Sequence, residues 1–93
     1  MRIVIAGAGN VGTHLAKLLS DENQDITLID ENEENLSRMD SNFDLITVQE
    51  SPVSLRGLKE AGVGKADLFV AVTPDESRNL ISCQLAHYLG AKK

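Results

Sequence analysis

The sequence predicts an α/β domain, a parallel sheet with helices on both of its faces. Three observations lead there. Four short runs, Ile3–Ala6, Ile26–Ile29, Leu45–Val48 and Leu68–Val72, are rich in β-branched residues and apolar at nearly every position. Strands covered on both faces read that way, whereas half-buried strands alternate. The intervening stretches carry apolar residues at helical spacing, and a glycine-rich turn joins the first strand to the first helix. Strand and helix in alternation argue for parallel pairing. Right-handed crossovers then leave strand order 3-2-1-4, the Rossmann half-order of a doubly wound sheet, as the natural topology.

Each helix has its own stripe. Val11, Leu15, Leu18 and Leu19 mark the first, Leu36 and Met39 the second, and Val53, Leu55, Leu58 and Ala61 the third. Leu80, Ile81, Cys83, Leu85, Ala86 and Leu89 mark a broader fourth. Thr73-Pro74-Asp75-Glu76 offers an N-cap Thr, Pro at the first helical position and Glu at the third, a capping box. Ser51-Pro52 is a weaker version. Gly62 and Gly90 follow helical runs, where a left-handed residue is expected. Residues 1–93 thus form a single domain. Only Gly90, Ala91, Lys92 and Lys93 follow the last helix, so no later strand covers the outer edge of the fourth. An open apolar edge is a pairing liability. The expectation is a fragment truncated before later strands, or an edge covered by another segment or chain.

Composition narrows the function. Hydrophobic residues are 42% of the chain and aromatics 3%, so aliphatics must fill the core; the large rings are Phe43, Phe69 and Tyr88. The net charge of −5 repels phosphate backbones and argues against nucleic acid. It does not exclude one phosphate ligand held by backbone amides. Cys83, the single cysteine, has no internal disulfide partner, which fits a reducing compartment, and reads as a buried small hydrophobe. The N-terminus lacks the basic and long apolar regions of a signal peptide, and no apolar run is long enough to span a bilayer. The reading is a cytoplasmic protein with no direct membrane insertion.

Gly7-Ala8-Gly9-Asn10-Val11-Gly12 is G-x-G-x-x-G between a strand and a helix, the context the motif requires. Gly7 permits the tight turn, Gly9 admits a pyrophosphate close to the backbone, and Gly12 lets helix and strand pack closely. Free N–H groups and the positive end of the helix dipole then face the ligand. Asp30 ends the second strand, 18 positions after Gly12, where a carboxylate accepts the hydroxyls of an adenosine ribose. Asp30 with Glu33 also fits an N-cap and its partner, and on that reading Asp30→Asn costs no stability. Glu31 follows, with no Arg or Lys immediately beyond it, so a 2′-phosphate would face two carboxylates and NADP is disfavoured. Gln49 and Glu50 end the third strand, where they either bond adenine or are solvated loop residues. Thr73 ends the fourth and reads as a cap beside the ligand. Arg78 either meets a phosphate or, the commoner outcome, is a surface helix arginine. His14 and His87 have no Cys or carboxylate cluster at ligand spacing and no nucleophile partner, so neither metal binding nor triad chemistry is expected.

The run Met1 to Gly12, then Leu28-Ile29-Asp30, Leu55 to Val63, Ala66 to Thr73 and Asp75 to Leu80, resembles the N-terminal nucleotide-binding (RCK or KTN) domain of TrkA-type potassium uptake regulators. The glycine motif is shared with many dehydrogenases, while the string LKEAGVGKADLFVAVTPDESRNL is far more specific. The resemblance implies a non-catalytic cytoplasmic subunit that binds NAD(H), or ATP or ADP. It implies homo-oligomers, and a partner that is a membrane potassium transporter or channel. The chain departs from the family at Gln49-Glu50, where members often carry Gly-Asp, and at Asn10, where a basic residue is frequent. The alternative is the cofactor domain of an NAD-dependent dehydrogenase whose catalytic part lies elsewhere. The absence of a hydride-transfer acid–base pair favours the sensor.

Overall fold

The computed structural model describes residues 1–20, 24–40 and 45–93, with residues 38–40 in backbone only. Phe43 and the side chain of Met39, the latter part of the second helical stripe above, lie outside the described residues. The elements run β1 (Arg2–Ala6), α1 (Asn10–Ser20), β2 (Asp25–Ile29), α2 (Glu33–Asp40) and β3 (Ile46–Val48). Then follow α3 (Leu55–Glu60), a 3₁₀ turn (Val63–Lys65), β4 (Leu68–Ala71) and α4 (Glu76–Leu89). The four strands form one sheet in the order β3-β2-β1-β4. Every pairing is parallel, with Ile5 opposite Leu28 on one side and Val70 on the other. Fold class and strand order are therefore as the sequence predicts.

Alternation along the strands divides the core between the two faces. Ile3 and Ile5 meet Ile26, Leu28, Ala8, Ala16 and Leu36 on the side of α1 and α2. Val4, Ala6, Ile29 and Phe69 meet Leu58, Val63 and Ala86 on the side of α3 and α4. Ile3, Ile5, Leu28 and Ile29 are buried completely or nearly so. A large aliphatic side chain contributes about 1.5–3 kcal/mol when fully buried. The centre of the sheet therefore supplies a rigid base for the loops at its carboxyl edge.

The helix stripes differ from those drawn by apolar size. In α1 the buried residues are Gly12 and Ala16, while Val11 and Leu18 are exposed. The bare Gly12 lets the helix axis approach the sheet, so the contact line runs through positions 12 and 16 instead of 11 and 18. In α4 the same holds: Ser82 and Ala86 face the sheet, whereas Leu80, Ile81 and Cys83 are exposed. Cys83 is thus a surface thiol, not a buried hydrophobe. Leu55, read as part of the α3 stripe, is also exposed.

Caps fall later than the capping patterns suggest. Asp75, not Thr73, caps α4, its carboxylate accepting from the Ser77 and Arg78 amides at 2.9 and 3.2 Å. Ser54, not Ser51, caps α3 by accepting from Gly57 N at 3.1 Å. Gly62 and Gly90 take the left-handed conformation expected of them, with φ of 76° and 116°. The outer edge of β4 is not bare. Lys92 N donates to Ala66 O at 3.2 Å and Phe69 N donates to Lys93 O at 2.7 Å, so the residues after α4 turn back along that edge.

Candidate functional site

The glycine turn lies at the carboxyl edge of the two central strands. Gly7 has φ of 111°, which L side chains rarely adopt, and donates to Ile29 O at 2.9 Å, tying the turn to the end of β2. A Cβ on Gly12 would lie 1.7 Å from Gly7 O. Helix α1 therefore packs against its own turn more tightly than any other residue permits. Gly9 is different: a Cβ there would meet nothing within 4 Å. Its bareness serves no internal contact and leaves open space in front of the backbone. The first turn of α1 carries no acidic side chain to offset the helix dipole, and its leading amides have no intrahelical acceptors.

Asp30 reaches this turn directly. Its Oδ2 accepts from Ala8 N at 2.7 Å, its Oδ1 accepts from Asn32 N at 2.8 Å, and Asn35 Nδ2 lies 3.5 Å from Oδ2. The helix-cap reading of Asp30 is corrected. Asn32 precedes α2, and its own Oδ1 accepts from Glu34 N at 2.9 Å. Asp30 instead braces the glycine turn. A carboxylate offers about four acceptor positions, so two backbone amides leave capacity for hydroxyl donors.

Glu31 and Arg78 meet although 47 residues separate them. Arg78 Nη2 lies 2.5 Å from Glu31 Oε1 and donates to Ser51 Oγ at 3.1 Å. Arg78 is thus no idle surface residue. Its guanidinium spans the edge from α4 to the turns after β2 and β3. The expectation that no basic group lies near Glu31 holds along the chain and fails in space. Gln49 is exposed, and Glu50 is half-buried, its stem against the backbone at Gly57. Both follow β3, whose Val48 O accepts from Asp30 N at 3.1 Å.

Thr73 is held by Asn79. Thr73 N donates to Asn79 Oδ1 at 2.9 Å, and Asn79 Nδ2 donates back to Thr73 O at 2.9 Å. The Thr73 hydroxyl donates to the same Oδ1 at 2.5 Å. This closed pair fixes the strand-to-helix turn against the glycine loop, where a Cβ on Gly7 would lie 3.0 Å from Thr73 N. Arg78, Asn79 and Ser51 carry no local signature that marks them as partners across the edge. His14 and His87 are exposed. Among the described residues no group of three or more His, Cys, Asp or Glu is placed to hold a metal ion. No helix among them is long and apolar enough to cross a membrane.

A parallel 3-2-1-4 sheet with a glycine turn after β1, braced by an acidic residue from the end of β2, defines a Rossmann-type α/β domain. More narrowly, the chain belongs to the TrkA-N domain family, whose model matches residues 3–93. It is 45% identical over 89 residues to the Trk system potassium uptake protein TrkA of Haemophilus influenzae, covering 96% of this chain and 19% of that protein. It is 41% identical over 92 residues to a Trk system potassium uptake protein TrkA homolog of Archaeoglobus fulgidus, covering 99% of this chain and 21% of the relative. The chain therefore spans about a fifth of the length of these relatives. Among solved structures, the Shewanella denitrificans Kef CTD in AMP bound form superposes with a TM-score of 0.72 at 24% identity, over 95% of this chain and 52% of the other. SirC, a precorrin-2 dehydrogenase, superposes at 0.63 with 18% identity, over 88% of this chain and 39% of the other. Likeness at these identities concerns the fold.

Proposed function

We propose that this domain is a non-catalytic sensor that binds an adenine nucleotide, NAD(H) first and ATP or ADP second, and so regulates a membrane potassium uptake system. The observation that carries the reading is the 2.7 Å bond from Ala8 N to Asp30 Oδ2. It joins the group suited to ribose hydroxyls to the turn suited to phosphates, with open space at Gly9 between backbone and ligand. The bound phosphates would accept from amides at the start of α1, and the ribose would donate to the free positions of Asp30. Glu31, Gln49, Glu50 and Thr73 would line the rest of the edge.

Support for the regulatory role comes from the TrkA relatives, named for potassium uptake. Support for an adenine ligand comes from the Kef domain named as AMP-bound. In this reading the whole protein is cytoplasmic, homo-oligomeric and peripheral to a transporter or channel. The ligand acts by binding one arrangement of the edge better than another, since only differential affinity shifts an equilibrium. Isothermal titration with NAD⁺, NADH, AMP, ADP and ATP tests it. At least one should bind saturably, and NADH incubated with the protein alone should not be oxidised. Gly9→Val should abolish binding without unfolding the domain, because its side chain points into open space. A folded protein that binds none of the five would overturn the proposal, and so would a Gly9→Val variant with unchanged affinity.

A further inference from the structure

We propose that the Glu31–Arg78 pair sets how this site reads the 2′ position of the adenosine ribose, with Glu31 holding an arginine that would otherwise accept a 2′-phosphate. The inference rests on the reading of Asp30 as the ribose carboxylate. Glu31 is the next residue, one Cα step of about 3.8 Å away. Its partner Arg78 comes from α4, far along the chain, and arrives beside the ribose position only through the fold. An arginine at this edge is what a site for a 2′-phosphorylated nucleotide uses, because the planar guanidinium matches phosphate oxygens. Here that guanidinium is already engaged by a carboxylate at 2.5 Å. An incoming 2′-phosphate would have to break that pair and face both Asp30 and Glu31. A free ribose diol needs only Asp30.

The arrangement also indicates what each substitution does. Ser51 Oγ holds the same Nη2 at 3.1 Å, so Arg78 stays over the edge when Glu31 is neutralised. The Glu31 side chain is 53% exposed, so Glu31→Gln leaves the core untouched. That variant presents an unpaired cation beside Asp30. Arg78→Gln does the reverse and leaves two uncompensated carboxylates in sequence.

Titrations of the folded domain with AMP and adenosine 2′,5′-bisphosphate, and with NAD⁺ and NADP⁺, test this. Within each pair the ligands differ only by the 2′-phosphate. The wild type should prefer the unphosphorylated member of each pair. Glu31→Gln should narrow that preference by about tenfold or more, the effect of one charge-assisted hydrogen bond. Arg78→Gln should widen it, and Glu31→Gln with Arg78→Gln should lose the gain of Glu31→Gln. An unchanged preference in Glu31→Gln overturns the inference while leaving nucleotide binding intact. A gain that survives the loss of Arg78 overturns it as well. A wild type that binds no member of either pair overturns the ribose reading on which the inference stands.

Discussion

Asp30→Asn separates a bracing carboxylate from a capping one. If Asp30 capped α2, asparagine would serve as well and the melting temperature would not move. The structure predicts otherwise. One carboxylate oxygen accepts from Ala8 N at 2.7 Å and the other from Asn32 N at 2.8 Å. An amide keeps one acceptor and turns an NH₂ toward the second position, so either Ala8 or Asn32 then faces a donor. A hydrogen bond to a charged group contributes about 1.5–3 kcal/mol, and a stranded donor costs about 1–3 kcal/mol. Asp30 is half-buried, water relieves part of that cost, and the lower end applies, about 1.5–2 kcal/mol. For a domain of this size each kcal/mol moves Tm by about 4–8 °C, giving a fall of about 6–16 °C. Thermal denaturation followed by far-ultraviolet circular dichroism, without nucleotide, measures it. Calorimetry on the folded variant should then show nucleotide affinity reduced by about ten- to a hundredfold. An unchanged Tm would refute the bracing role, and unchanged affinity would refute the ribose role.

Three further outcomes follow from individual contacts. Gly12→Ala places a Cβ 1.7 Å from Gly7 O, a backbone atom that cannot rotate away. Overpacking of about 1–3 kcal/mol or more should outweigh the roughly 1 kcal/mol that alanine gains in a helix, and urea denaturation should show a net loss of stability. Asn79→Ala removes the side-chain partners of the Thr73 N–H and carbonyl and leaves the hydroxyl only its longer contacts with the Asp75 backbone. It should cost about 2 kcal/mol in the same assay and increase hydrogen exchange at the Thr73 amide. The Arg2 N–H at 2.9 Å, with Lys92 at 3.4 Å adding to it, holds the Asp67 carboxyl below its usual range against an opposing effect of desolvation. A lowered folded-state pKa contributes stability above the ordinary value, and that contribution is lost as pH falls through the lowered one. Wild type and Asp67→Asn should therefore differ in stability near neutral pH and converge in acid; a constant difference across that range would exclude Asp67.

What the sequence determined by itself was whatever depends on neighbours along the chain. Runs such as Ile3–Ala6 and Ile26–Ile29 are apolar at nearly every position because their strands are central, and together with the alternation of strand and helix and the right-handed crossover rule they led to parallel pairing and the 3-2-1-4 order. The glycine motif was legible for the same reason. Gly7 needs its φ of 111° and Gly12 its missing Cβ within a single turn of chain. Tertiary structure decided what depends on distance of approach. Because Gly12 draws α1 close, Ala16 faces the sheet and the larger Val11 and Leu18 do not. Because Thr73 is engaged by Asn79, the cap of α4 falls to Asp75. Asp30 stood at the end of β2 with a cap and a ribose role both open, and the contacts to Ala8 and of Asn32 bear on the cap alone. The bridge from Arg78 to Glu31 and Ser51 had no signal along the chain. Its members lie on α4 and on the turns after β2 and β3, and only the folding of the sheet brings them to one edge.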